Sequence, residues 1–295
     1  MIISIDEKAC TACGICGDVC PRHIPEVVTI NGRKATVISE ERVQLCIECG
    51  HCTAVCPRDA IRIEALDDRD FAPVGDVAID GEELFLLLKQ RRSVRAFKDT
   101  PVPREKIDTI IDAARVAPTG AGTSSTGVIV IDDPEVLAEF SEYTYKMYEM
   151  LGKLIKNPIT RIIVKKRAGK KGLRMLQDFV MPGMRWYVRW YREGKRNDIL
   201  RSAPALMLFH SPTYEPMGET NCAIAAFHAV LMAEAVGIGT CFNDIIPPAC
   251  NRVPEIRKLI DLPEDREVSS SVILGYPKYT FKKAPPRKLS DVRYI

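Results

Sequence analysis

Eight of the eleven cysteines in this 295-residue chain fall before residue 57. The first four, Cys10, Cys13, Cys16 and Cys20, lie within eleven positions, and Pro21 stands directly behind the last. Thiols so close could close a zinc site, hold an iron–sulfur cluster or pair as disulfides. The opening residues, MIISIDEKAC, lack the basic, apolar and small-residue regions of a signal peptide. No apolar run reaches transmembrane length. A soluble, cytoplasmic protein is expected, and in a reducing compartment clustered thiols are metal ligands sooner than disulfides.

The spacing then recurs. Cys46, Cys49, Cys52 and Cys56 repeat the first four at a displacement of 36, and Pro57 repeats Pro21. Two copies of C-x2-C-x2-C-x3-C-P form the two-cluster pattern of bacterial ferredoxins, in which the fourth cysteine of each set serves the other cluster. Three thiolates two residues apart wrap three corners of a cubane, and the proline turns the chain away. One 4Fe–4S cluster is therefore assigned to Cys10, Cys13, Cys16 and Cys56, and the second to Cys46, Cys49, Cys52 and Cys20. Zinc is the competing reading, but zinc sites normally pair C-x2-C motifs. His51, between ligand cysteines, reads as exposed. Between the sets, VVTINGRKATVI holds two β-rich runs around Asn31-Gly32, a hairpin signal.

These ligands need a scaffold, and the rest of the chain needs a different one. Residues 1–66 read as the ferredoxin-like domain and the acidic stretch 67–81 as a linker. A second domain then covers 82–295. Leu84, Phe85, Leu87 and Leu88 give Glu82–Arg92 a helical pattern. Pro103 and Glu105 open another helix, with Ile107, Ile110, Ile111 and Ala114 on one face. NCAIAAFHAVLMAEAVGIG is apolar nearly all round and should be buried. GVIVID, PALMLFH and SSSVILGY read as strands. Without regular βαβ alternation, the fold class is α+β, with a mixed or antiparallel central sheet and a long core helix.

Between the first two helices lies RRSVRAF, three arginines and a serine in five residues, a composition suited to an anionic ligand. This stretch, then APTGAGTSS, GIGTCFND and ILGYPKYTFKKAPPRKL, in that order, resembles the FMN-dependent nitroreductase family over residues 82–295. With the N-terminal module, the whole resembles the ferredoxin–nitroreductase fusions of anaerobes. The resemblance implies FMN as cofactor, held by Arg91, Arg92 and Ser93 near its phosphate and ribityl chain, with Arg95 beside the flavin N1/C2 carbonyl. It also implies that Pro118, Thr119 and Gly120 line the flavin, that Asp244 offers a backbone N–H near flavin N5, and that Lys283 and Arg287 reach the phosphate. The family often continues the proline loop with asparagine and glutamine, where this chain has Gly122 and Ser124, followed by Ser125 and Thr126. A homodimer with flavin at the interface is implied as well. Flavin N5 is then the reactive centre, and no side chain is identified as acid or base. His228 reads as a core histidine, and Cys222, Cys241 and Cys250 as packing residues, with Cys241 beside the expected flavin face.

GIGTCF and GAGTSS each begin G-x-G, but neither completes a dinucleotide fingerprint. The net charge of +3 is too small to argue for nucleic acid. It conceals an uneven distribution, since residues 146–201 contain sixteen Lys or Arg against four Asp or Glu. This basic, helical insertion, about 143–201, carries Trp186 and Trp190, and Tyr187 and Tyr191, one turn apart. It reads as a solvated face, a pocket lid, or a docking surface for an acidic partner or membrane. The expected function is electron transfer from a low-potential donor, such as reduced ferredoxin, through both clusters to FMN and on to a small organic acceptor: a nitroaromatic, quinone or enone. The alternative is an electron carrier or redox sensor serving a protein partner.

Overall fold

The computed structural model describes residues 3–75, 78–120 and 125–295. The chain divides into two compact units, Met1–Ala78 with Thr119–Ser124, and Ile79–Pro118 with Ser125–Ile295.

In the first unit β1 (Ile3–Ile5) leads to α1 (Ile15–Asp18), the hairpin β2 (Pro25–Ile30) and β3 (Arg33–Ile38), α2 (His51–Ala54) and β4 (Ile61–Ile63). β1 pairs antiparallel with β4, and β2 with β3. Asn31 and Gly32 both have positive φ, 50° and 77°, the type I′ turn the dipeptide announces. The 36-residue repeat is present in the backbone itself. Ala12 and Glu48, Gly14 and Gly50, and His23 and Asp59 are paired left-handed positions. α1 and α2 each begin directly after a left-handed glycine. The apolar core is small: Cys52, Ile61 and Ile63 are buried, with half-buried Ile3, Ile5, Ile38 and Leu66 around them.

The second unit is α+β. It contains α3 (Gly81–Gln90), α4 (Arg104–Arg115), β5 (Gly127–Ile131), α5 (Pro134–Leu154), α6 (Pro158–Arg174), a π-helical segment (Met175–Val180) and α7 (Met181–Arg192). β6 (Ala205–Pro212), α8 (Gly218–Ala235), β7 (Gly239–Phe242), α9 (Pro247–Arg252), α10 (Pro254–Leu259) and β8 (Arg266–Gly275) complete it. Four antiparallel strands form the sheet in the order β5-β6-β8-β7.

Alternation along the central strands supplies both faces. Ala205, Met207 and Phe209 of β6, with Val272 and Leu274 of β8, meet α4 and α8. Leu206, Leu208 and Ile273 point the other way, into a core shared with α5, α7, α9 and α10. Strands buried on both faces read as continuous apolar runs, which is why PALMLFH shows no polar alternation.

Three local features differ from expectation. The first helix stops at Gln90: Asp80 caps its start, accepting from the Glu82 N–H at 3.0 Å, and Arg91 turns extended. The basic insertion has no boundary at 143, since α5 runs unbroken to Leu154 with Tyr145 and Tyr148 buried. α8 is not covered all round: Glu219, Thr220, Ala223, Ile224, Phe227 and His228 line an open stripe, with Phe227 42% exposed. α3 packs against α8 and leaves Leu84, Phe85, Leu86 and Leu88 exposed.

Candidate functional site

Six of the eight cysteines of the first unit line two concavities. Cys20, Cys46, Cys49 and Cys52 line one together with Ile3, Ile24 and Ile63. Cys20 thus lies beside the second cysteine set. Cys13 and Cys16 line the other, beside Gly14, Gly17 and Thr36. Cys10 Sγ lies 3.4 Å from Thr36 Oγ1 and accepts from the Ala12 N–H at 3.4 Å. Cys56 Sγ accepts from the Ala60 N–H at 3.3 Å. Burial pushes the Cys16 thiol up, and the neighbouring Cys13 and Cys10 add to the effect. Burial does the same to Cys52, with Cys20 and Cys49 as neighbours. Thiolates gathered in an apolar pocket repel one another unless a cationic centre compensates them, and an iron–sulfur core is such a centre. The donor set therefore fits the group. His51 is exposed at the start of α2.

In the second unit RRSVRAF is an extended strap held at both ends of the sheet's edge. Ser93 bridges Thr240 of β7, and the Val94 N–H donates to the Thr240 carbonyl at 2.8 Å. Phe97 bridges Pro277, and the Lys278 N–H donates to the Ala96 carbonyl at 3.0 Å. GIGTCF is therefore a strand entrance and no phosphate loop. A Cβ on Gly239 would stand 2.7 Å from Val94 and 2.8 Å from Pro277, so only glycine allows the strap this close.

This threading collects charge. Burial lowers the Arg91 pKa, and the nearby Arg287 and Arg92 lower it further. Arg92 is buried, donates to the Arg91 carbonyl at 2.6 Å, and has an Nε without a hydrogen-bond partner among the described residues. Glu234 is pushed up by its own burial against the pull of Arg91 and Arg92. With Arg92 and Arg287 both acting on Arg91, the strap gathers positive charge, the complement of a phosphomonoester. Arg95 is exposed, its Nη1 3.5 Å from the Ser93 carbonyl. Cys241 is buried. Lys283 and Arg287 lie in an exposed extended tail.

Asp244 is exposed in the turn after β7. That turn is pinned by a residue the sequence reading passed over. Asn243 exchanges bonds with Ser271, 3.1 Å from its N–H and 2.7 Å to its carbonyl, and its Nδ2 donates to the Ile199 carbonyl at the end of the insertion. Pro118 follows the last turn of α4, closed by the Ala117 N–H donating to Ala114 at 3.2 Å. Thr119 and Gly120 are half-buried and belong to the first unit. Gly122 and Ser124 lie outside the described residues.

Where the chain resumes, a second unforeseen constellation holds it. Arg266 Nε donates to His210 Nδ1 at 2.7 Å, and its Nη2 donates to the Ser125 carbonyl. The register slips between Phe209 and His210, so a bulge aims His210 at Gly127, its pair on β5. A Cβ on Gly127 would overlap the imidazole. Burial lowers the His210 pKa to about 4, and Arg266 contributes, so the ring is neutral with its remaining proton on Nε2. Cys222 is buried in α8, and His228 is half-buried on the open stripe.

Residues 88–276 match the nitroreductase family, and residues 2–64 match a 4Fe–4S dicluster domain. The chain belongs to the nitroreductase family. Among relatives of this nitroreductase-family protein, the iodotyrosine deiodinase of Danio rerio is 26% identical over 230 residues, 75% of this chain and 69% of its own length. A putative NADH dehydrogenase/NAD(P)H nitroreductase of Archaeoglobus fulgidus is 26% identical over 198 residues, 67% of this chain and 87% of its own. The Bacteroides fragilis nitroreductase with bound FMN superposes with a TM-score of 0.56 at 20% identity, covering 72% of this chain and 98% of that one. That of Desulfitobacterium hafniense, also with bound FMN, gives 0.53 at 22% over the same shares. The fold is thus that of nitroreductases, with a cluster-binding unit ahead of it. Among the described residues no helix is long and apolar enough to cross a membrane.

Proposed function

We propose that this protein, an FMN-dependent oxidoreductase of the nitroreductase family with 4Fe–4S clusters, takes low-potential electrons through both clusters to FMN and delivers them to a small organic acceptor in the cytoplasm. The observation that supports the reading is the buried Arg92, whose Nε has no hydrogen-bond partner among the described residues, beside Arg91, whose pKa Arg287 also lowers. Bound flavin supplies the conversion between one-electron input and two-electron output.

The chain's own residues do the rest. Arg91, Arg92, Ser93 and Arg287 hold the phosphate end, with Lys283 as a further cation. Arg95 lies beside the flavin N1/C2 edge, where a cation stabilises developing negative charge. The Asp244 backbone N–H serves the N5 edge, on a turn that Asn243 keeps rigid. Pro118, Thr119 and Gly120 line the ring. Cys10, Cys13, Cys16 and Cys56 ligate one cluster, and Cys46, Cys49, Cys52 and Cys20 the other. Ile224 and Phe227 on the open stripe of α8 and the exposed leucines of α3 support a homodimer, since α3 packs against α8. The acceptor is a nitroaromatic, quinone, enone or similar electrophile, and reduced ferredoxin is the favoured donor.

The test is anaerobic reduction of the full chain by ferredoxin or dithionite, followed by a screen of soluble acceptors. Stoichiometric reoxidation by at least one acceptor class is expected. Reoxidation by none, together with salt-sensitive exchange with a protein partner, would make this an electron carrier. Arg91→Ala should weaken FMN binding about tenfold or more, the value of a charge-assisted phosphate contact. Arg95→Ala should lower the flavin potential. Unchanged binding and potential would remove these assignments.

A further inference from the structure

The charges of the basic insertion are not alike. On α5 and α7 all but Arg185 are met within the protein: Lys146 and Arg192 pair with Glu142, Lys153 and Arg192 with Glu149, and Arg189 with Glu193. α6 differs. Residues 158–174 hold seven Lys or Arg and no Asp or Glu. Among the described residues, no α6 cation has an ion-pair partner, and Arg161, Lys165, Lys166, Lys170, Lys171 and Arg174 are exposed.

The same helix exposes its largest apolar side chains. Ile159, Ile162 and Ile163 are 69%, 67% and 49% exposed. At 100° per residue they share one face, with Lys166 between them and Lys165 at its flank. Thr160 and Val164, on the opposite side, are half-buried. Beyond the kink at Gly169, Phe179 is 80% exposed.

We propose that α6 and the segment behind it form a docking surface for an anionic lipid bilayer, along which α6 lies in the interface plane. The isoleucines of the exposed arc enter the acyl boundary, while Lys165 at its flank and Lys166 within it extend along their aliphatic stems to the phosphates. Charge complementarity selects the occupant: unneutralised cations attract an anionic surface, and a fluid interface accepts protruding isoleucines without a shaped groove. Attachment is peripheral. It does not depend on the flavin reading above.

The test uses the full chain, purified anaerobically, in flotation with vesicles of equal parts phosphatidylglycerol and phosphatidylcholine, against vesicles of phosphatidylcholine alone. Binding to the anionic vesicles is expected, at least about tenfold stronger than to the neutral ones and falling steeply with salt. Lys165→Gln with Lys166→Gln should weaken it by about tenfold or more, at roughly fivefold per lysine. Ile162→Asn with Ile163→Asn should weaken it comparably, with iron, flavin and acceptor turnover unchanged. Equal or absent binding to both vesicle types overturns the proposal. So does a change of oligomeric mass in the isoleucine variant, which would give the face to a second copy. A several-fold rise in KM for a soluble acceptor without lipid overturns it as well, because the face would then belong over the substrate site.

Discussion

The two units are stabilised by different means. The first buries a handful of side chains, Ile24, Cys52, Ala60, Ile61 and Ile63 among them, and its loops are shaped by left-handed residues and left open around sulfur. The second buries two layers of side chains, one on each face of a four-stranded sheet. A unit whose centre is thiol needs its inorganic core to fold, whereas a unit with an apolar centre needs its cofactor only to work.

Iron removal is the harshest test of that contrast. Chelation under oxidising conditions should unfold Met1–Ala78 and leave the second unit intact. Limited proteolysis should then yield a stable fragment beginning near Ile79, and equal resistance of both units would erase the distinction. Cys20→Ser asks a finer question. Iron and sulfide should fall from about eight to about four of each per chain, with the spectroscopic signature of the cluster at Cys46, Cys49 and Cys52 lost first. Selective loss of the other cluster would refute the crossed ligation.

The remaining tests fall on the second unit. Gly127→Ala should cost about 1–3 kcal/mol through overlap with the His210 ring, readable as a lower denaturant midpoint with cluster content unchanged. The smallest effect is on pH dependence. The folded His210 pKa is depressed from the ordinary 6.5 to about 4, so the unfolded chain takes the proton first. Its contribution is full above about pH 6.5 and declines as pH falls towards 4. Denaturation midpoints of the second unit at pH 7.5 and 5.5 should differ less in His210→Asn than in the parent chain. An identical slope would exclude His210 as the titrating group.

Much of this was legible beforehand. The cysteine sets, the Asn31-Gly32 turn and the three apolar strands each depend on residues a few positions apart. β7 escaped because Gly239–Phe242 is four residues long and lies within what looks like a broken glycine motif. Asn243 and the Arg266–His210–Ser125 tie escaped because each joins segments far apart in sequence, with no spacing to announce them. Helix α3 illustrates the converse: its pattern was apolar, but a pattern does not say what covers it.

By itself, the sequence determined the ligand chemistry, because cubane corners are filled by thiolates at fixed short separations, and it determined the continuous apolar run that buries both faces of β6. Only the tertiary structure decided which charges meet. Arg91 and Arg287 come from opposite ends of their unit, and pairing of the strap with β7 and with the chain after β8 gathers them. The same packing pairs most cations of α5 and α7 and leaves those of α6 to the solvent, since ion pairing depends on proximity in space, which charge counts along the chain do not contain.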